Sequence, residues 1–178
     1  MADSNIFAVE VVTPERVLVD GLATEVILRT GEGDITFLAG SAPLVGTVEP
    51  GVVRVVRPEG DEERVAAHGG FVQVGEDPGE ESPADAPVGG APASGTRVTL
   101  LIGVAEPAAE IDVDRARAAL EAAEARVAEL TGSAGRSAGA PEEEADPEFV
   151  EAEAARHRAE VRLGAAEPGS PGGTATAA

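Results

Sequence analysis

The stretch GEGDITFLAGSAPLV, residues 31–45, decides the fold. It places three glycines and Pro43 around one short apolar segment, residues 35–38. Glycine permits positive φ or a close backbone approach, and proline fixes φ and lacks a donor N–H. The stretch therefore predicts a tight turn, a short strand and a loop shaped by its own backbone. Loops held in this way by a rigid sheet often carry contact surfaces.

Alternating apolar residues around this stretch predict further strands. Residues 6–12 and 24–29 both alternate, so that Phe7, Val9 and Val11 share one face of the first strand. Short strands at close spacing indicate a β-sandwich or a flattened barrel. The other expected strands are residues 17–19, 45–48, 52–56, 63–66, 71–74 and 98–102. A turn is expected at Asp20-Gly21, between the strand at 17–19 and the one at 24–29.

The period of the sequence changes from 2 to 3.6 after Asp112, which is a plausible N-cap for a helix. Gly132 is the expected end of this first helix. Asp146-Pro147 predicts the start of a second helix, which should run to Leu163 with Gly164 as its stop. The apolar stripe of the first helix is Ala116, Leu120, Ala123, Val127 and Leu130.

The predicted fold is therefore α+β and mainly β: a flattened β-sandwich followed by an antiparallel two-helix hairpin. Because the helices are rich in alanine, they need the sandwich or another protein to lie against. The expected division is a sandwich domain at 1–105, with a disordered insert at 75–96, and a helical domain at 106–163, with a linker at 132–146. A disordered tail is expected at 164–178.

Composition excludes several functions. The formal net charge is −20, which argues against nucleic acid or an anionic membrane surface as a direct partner. The chain has no cysteine and no lysine, so thiolate sites and lysine Schiff bases are absent. No apolar run is long enough for a membrane span, and the first residues lack signal-peptide features. A cytoplasmic location is expected.

Catalytic and metal sites are difficult to assemble from these residues. The two histidines, His68 and His157, are far apart in the chain, and each is interpreted as an ordinary structural residue. No cluster has metal-ligand spacing, so we expect no catalytic residue and no metal.

The best ligand candidates lie on the helices. Asp112 and Arg115 are three residues apart, and Arg158 and Arg162 are four apart, so each pair can share a helix face. Such arginines could converge on a polyphosphate, where bidentate contacts are strong. The alternative is that these residues cap helices and pair with glutamates on neighbouring turns.

Four fragments in order resemble the epsilon subunit of F-type ATP synthases: GDITFLAGSAPL at 33–44, PGVVRV at 50–55, GGFVQV at 69–74 and IDVDRA at 111–116. Thr36, Ala39 and Ser41 stand where that family usually has Gly, Pro and His. The resemblance implies that residues 71–74 pair with 98–102.

The resemblance also implies a function. Subunits of this family are non-catalytic rotor parts that link the gamma subunit to the ring of c subunits and so couple proton transport to ATP synthesis. Their helical hairpin can extend toward the catalytic head and inhibit ATP hydrolysis. The implied location is peripheral, at the cytoplasmic face of the bacterial plasma membrane, with membrane contact only through partners. The implied ring-facing residues are Asp34, Ser41, Pro43 and Leu44.

In some bacterial members of the family the helical hairpin binds ATP, and no other cofactor is implied. A different class of function stays open at this point, which is a stand-alone β-sandwich module that senses ATP without a rotary partner. When the ATP-binding positions of those family members are matched residue by residue to this chain, they fall on Glu106, Asp112, Arg115, Ala116, Arg158 and Arg162.

Overall fold

The computed structural model describes residues 5–76, 95–134 and 146–167. Within these ranges the chain forms two five-stranded sheets followed by two helices, so the prediction of a mainly β sandwich with a helical hairpin is confirmed. Sheet I has the order β2 (Val17–Ala23), β1 (Phe7–Val12), β9 (Thr96–Ile102), β8 (Gly70–Glu76) and β5 (Leu44–Val48). Sheet II has the order β10 (Ala105–Pro107), β7 (Glu62–Ala67), β6 (Gly51–Val56), β3 (Glu25–Thr30) and β4 (Gly33–Phe37).

The core lies between the two sheets and is built from alternate residues of each strand. Phe7, Val9 and Val11 are fully buried, as their shared face predicts, and Val26 and Leu28 meet them from sheet II. Because side chains alternate across a strand, the same pattern leaves the other half of each strand on an outer face. Each sheet therefore has an outer face that can contact a helix or another protein.

Strands β8 and β9 pair antiparallel, as the resemblance implies, with Phe71 opposite Leu101. The two glycines at the start of β8, Gly69 just before it and Gly70 as its first residue, are each required for a different structural reason. Gly69 has a φ of +98°, and a Cβ placed on Gly70 would lie 2.2 Å from the carbonyl oxygen of Leu101. Only glycine allows the two backbones to approach this closely.

Two local features differ from the sequence-based prediction. The turn expected at Asp20-Gly21 is wrong, because both residues lie inside β2. Gly21 takes a φ of +125° there, and the Arg57 guanidinium lies beside it and donates to the carbonyl oxygens of Asp20 and Leu22. Strand β10 has no signal in the sequence, because three residues are too few to show a period.

The helices are longer than predicted. Helix α1 spans Val113–Ala134 and helix α2 spans Pro147–Ala166, so the ends expected at Gly132 and Gly164 are wrong. Glycine costs a helix about 1 kcal/mol relative to alanine, which does not by itself stop a helix that has tertiary support. The rest of the predicted insert, linker and tail, residues 77–94, 135–145 and 168–178, lies outside the described residues, and the division into domains stays a prediction.

Both helix starts follow the prediction. The Asp112 carboxylate accepts from the backbone N–H of Arg115 at 3.0 Å, and the Asp146 carboxylate accepts from Glu148 N–H at 3.0 Å. Neither helix, nor any other in the described part of the chain, is long and apolar enough to cross a membrane.

Replacing Leu100 by alanine tests the position of the core. Leu100 is fully buried in β9, so Leu100→Ala should lower the free energy of unfolding of the isolated chain by about 2–5 kcal/mol. Leu101 is the matched control, because it is the next residue but faces outward, so Leu101→Ala should cost less than about 1 kcal/mol. Urea denaturation followed by circular dichroism measures both. Equal losses would contradict the assigned faces.

Candidate functional site

Helix α2 lies on the outer face of sheet II. Val161 and Ala165 pack on Ala66 of β7, with Val52 and Ile111 at the margin of this small apolar cluster. The side chains are small, so the helix approaches the sheet closely.

An ion pair at the edge of sheet II holds the same helix. The Arg162 guanidinium donates to one Glu106 carboxylate oxygen from Nε at 2.8 Å and from a terminal nitrogen at 2.5 Å. Each side chain keeps 34% of its exposure. Glu106 is presented by β10, which pairs with β7 opposite Ala66. Strand β10 therefore connects the sheet to the helix.

His68 lies near enough to this ion pair for both of its charges to act on the imidazole. Both its ring nitrogens are buried and have no hydrogen-bond partner, while its backbone N–H donates to Val104 O at 3.0 Å. Burial, and after it the positive charge of Arg162, lowers the pKa of the His68 imidazole. Both effects favour the neutral form of the imidazole.

The remaining predicted ligand residues occupy different surroundings. Arg158 lies close enough to His68 to affect it and donates to Glu151 at 2.9 Å. Asp112 caps helix α1, Arg115 is exposed, and Ala116 is buried. The structure thus brings Glu106, Arg158 and Arg162 together around His68. It also contains the capping and ion-pair contacts of the alternative interpretation, and ATP binding stays a prediction.

The surface between the two helices contains a groove that is rich in alanine. The groove between them is lined by five alanines and closed at one end by an ion pair between Arg126 and Glu148. Methyl groups bury little area, so these alanines contribute little to the contact between the helices. The alanines of the groove are Ala119, Ala122 and Ala123 of α1 and Ala152 and Ala155 of α2.

A second contact between the sandwich and the helical segment lies ahead of α1. Residues Ala108–Glu110 form one 3-10 turn, and Glu110 accepts from Arg16, in the β1–β2 turn, in a two-bond contact of 3.1 and 2.5 Å. Both side chains are about half exposed, so solvent screens this contact.

Residues 38–43, which belong to the glycine-rich stretch 31–45 and are called the glycine-rich loop below, join sheet II to sheet I at one end of the sandwich. Ser41 closes it, because its hydroxyl accepts from Leu38 N–H at 3.0 Å and its own N–H donates to Leu38 O. Gly40, with a φ of +79°, donates to the Thr96 hydroxyl at 2.9 Å. Of the ring-facing candidates, Asp34 pairs with Arg29 and is exposed, Pro43 is exposed, Ser41 is half-buried, and Leu44 packs partly on the core.

The outer face of sheet I carries a row of residues, apolar except for Thr47 at one end, that the sequence did not single out. Strand register places Thr47, Phe71, Leu101, Val12 and Val17 side by side across all five strands. Phe71, Leu101 and Val17 are 57, 51 and 53% exposed. We call this row the apolar band. The alternation of β8 and β9 indicated the exposed side of each strand, but only the register shows that these side chains are neighbours.

Comparisons with known proteins match both parts of the chain. Residues 6–78 match the family described as ATP synthase, Delta/Epsilon chain, beta-sandwich domain, and residues 109–167 match its long alpha-helix domain. A protein of Thermobifida fusca named ATP synthase epsilon chain is 42% identical over 70% of this chain and 79% of its own length. A protein of the same name from Desulfitobacterium hafniense is 36% identical over 71% of this chain and 80% of its own length.

A solved structure shows the same fold. A chain in the Euglena gracilis mitochondrial ATP synthase, in a structure of its OSCP, F1 and c-ring, superposes with a TM-score of 0.59 at 20% identity. The match covers 85% of this chain and 76% of that one.

Proposed function

This chain belongs to the delta/epsilon chain family of ATP synthases, and we propose that it is the non-catalytic rotor subunit that ties gamma to the c ring. In that position it couples proton transport to ATP synthesis. It acts at the cytoplasmic face of the bacterial plasma membrane and reaches the membrane only through its partners.

The apolar band is the observation that carries this proposal. Within the described residues, helix α2 covers sheet II, whereas the outer face of sheet I exposes Phe71, Leu101 and Val17 in one row. Exposed apolar rows of this kind mark protein interfaces. We assign the band to the gamma shaft, because the family places this sandwich beside gamma.

The end of the sandwich that carries the glycine-rich loop is our candidate for the c ring. This end lies away from the apolar band, because Leu44 pairs with Val74 while the band crosses β8 at Phe71. Ser41, Pro43 and Leu44 lie at or near it, whereas Asp34, the fourth candidate for the ring-facing surface, pairs with Arg29 at the other end of β4. The hydrogen bonds of Ser41 and Gly40 hold the loop in one shape, which reduces the entropy lost on binding.

A charged residue in the apolar band should prevent assembly. In a pull-down from solubilised membranes, the tagged chain should recover gamma and the c subunit together. Phe71→Asp should weaken gamma binding at least about 100-fold, because it removes a large apolar contact and buries a charge. Gln73→Asp is the matched control, since Gln73 is two residues along the same outer face and lies outside the band, and it should leave recovery unchanged.

If wild-type chain recovers neither partner, the rotor proposal is wrong and the stand-alone module is favoured. If both variants bind equally well, the band is not the gamma surface.

We also propose that the helical hairpin regulates hydrolysis by leaving sheet II and extending along gamma toward the catalytic head. The small apolar cluster under α2 and the alanine-lined groove between the helices favour such a two-state element. Arg156, Arg158 and Arg162 would then exchange their present glutamate partners for acidic groups on the head.

A disulfide between β6 and α2 tests this regulation. A Cβ on Gly164 would lie 3.5 Å from a methyl group of Val52, which suits a disulfide, and the chain has no other cysteine. In the assembled synthase carrying Val52→Cys and Gly164→Cys, oxidation should hold the hairpin on the sandwich and raise ATP hydrolysis. Reduction should restore the lower rate. Each single-cysteine variant is a control that should not respond, and an unchanged rate in the oxidised double variant would rule out the mechanism.

Regulatory ATP binding is a second proposal, favoured by the meeting of Arg158, Arg162 and Glu106 at one edge of sheet II. Both arginines are already paired with glutamates, so ATP must displace Glu151 and Glu106 from them. Binding should therefore be weak and should depend on salt. Asp112, Arg115 and Ala116, at the start of α1, complete the proposed set.

Calorimetric titration of the full chain with ATP tests this site. We expect Arg158→Gln and Arg162→Gln each to weaken binding about tenfold, the effect of losing one charge-assisted contact. Arg117→Gln is the control, because Arg117 is an exposed helical arginine whose ion pair is with Asp114. Absence of heat at millimolar ATP would eliminate the site.

A further inference from the structure

We propose that His68 makes the docking of helix α2 on the sandwich sensitive to pH, so that protonation of this one side chain releases the helix. The docked arrangement buries both ring nitrogens of His68 without a hydrogen-bond partner. A neutral imidazole tolerates this position, whereas an imidazolium would leave two charged N–H groups unpaired. The inference concerns this chain alone and does not depend on the proposed rotor function.

The charges around His68 oppose its protonation. Helix α2 contributes Arg162, Arg158 and His157, and strand β10 contributes Glu106. Glu106 is the one anion of this set, and its carboxylate already accepts two hydrogen bonds from Arg162. A proton on His68 would therefore either add a cation beside two arginines or compete with Arg162 for Glu106. Both outcomes weaken the contact that holds the helix.

Because of where His68 lies, its protonation should destabilise the docking of the helix and leave the sandwich itself intact. His68 follows β7 directly, and its backbone N–H bonds to Val104 next to β10, so the residue belongs to the sandwich. Its charged neighbours on α2 belong to the part that moves. When the helix leaves, the imidazole gains water and loses the arginines, while the sandwich core remains intact. Protonation of His68 therefore destabilises the docked state and does not destabilise the undocked state.

The direction with pH follows from the lowered pKa. A histidine with a depressed pKa in the docked state supports docking above its ordinary pKa of about 6.5, and this support is lost as the pH falls below that value. Between about pH 7.5 and pH 5.5 the equilibrium constant for undocking should rise by at most about tenfold. Histidine is the side chain whose unperturbed pKa lies in this window.

Distance measurement between two spin labels on the full chain tests the inference. Labels on Val150→Cys, an exposed position of α2, and Asp61→Cys, in an exposed turn of the sandwich, report helix docking, because the chain has no native cysteine. Lowering the pH from about 7.5 to 5.5 should increase the undocked fraction in the parent chain. His68→Gln cannot titrate and should abolish this dependence.

The chain contains its own matched control. His157 is the only other histidine, lies on α2 and is half exposed, so His157→Gln should keep the pH dependence. The inference is overturned if the parent chain shows no change in distance, or if His68→Gln responds to pH as the parent does. NMR titration of the two imidazoles gives a second readout that needs no variant of His68. A His68 pKa at or above the ordinary value of about 6.5 would also overturn it.

Discussion

The structure depends on one shared apolar core, which two twisted sheets bury from opposite sides. Its members are alternate residues of nearly every strand, among them Phe7 and Leu100 of sheet I and Leu28 and Val55 of sheet II. Because valine supplies most of the contacts and aromatic residues are few, the core is thin and relies on many well-placed strands. All other features of the chain are attached to its two outer faces.

The two outer faces have different chemistry. Sheet II presents small side chains such as Ala66 and Val52, and helix α2 covers them. Sheet I presents the apolar band, whose large side chains stay exposed in the described part of the chain. The sandwich has one outer face covered by its own helix and one that is apolar and exposed. Such a sandwich is suited to bind a partner stably through its exposed face. The same arrangement leaves the helix, and not the sandwich, as the part that can change position.

The contacts of α2 are small in number and mixed in kind. Three small buried apolar side chains and one partly exposed ion pair hold it on the sheet, and the ring nitrogens of His68 are buried without a hydrogen-bond partner. A partly exposed ion pair contributes about 1 kcal/mol or less, and alanine contributes little apolar area. A single added charge can therefore change the balance, which is why the neutral state of His68 matters. A leucine-rich interface in the same place would fix the helix and would not allow the regulation that we propose.

Sequence alone determined the fold class, the core faces and the helix starts, because these depend on periods of 2 and 3.6 and on local caps. Phe7, Val9 and Val11, and the caps at Asp112 and Asp146, were readable for that reason. The four fragments in order also led to the family. Local signals were weakest where tertiary contacts override them, as at Gly21 and Gly164, whose neighbours Arg57 and Val52 come from other elements.

Only the tertiary structure decided which residues meet. Strand register assembles Phe71, Leu101 and Val17 into one band, although they are far apart in the chain. The edge strand β10, which has no readable period, brings Glu106 to Arg162 and places both beside His68. The physical reason is that burial and electrostatic surroundings belong to positions in space, and spacing along the chain does not encode contacts between distant strands and helices.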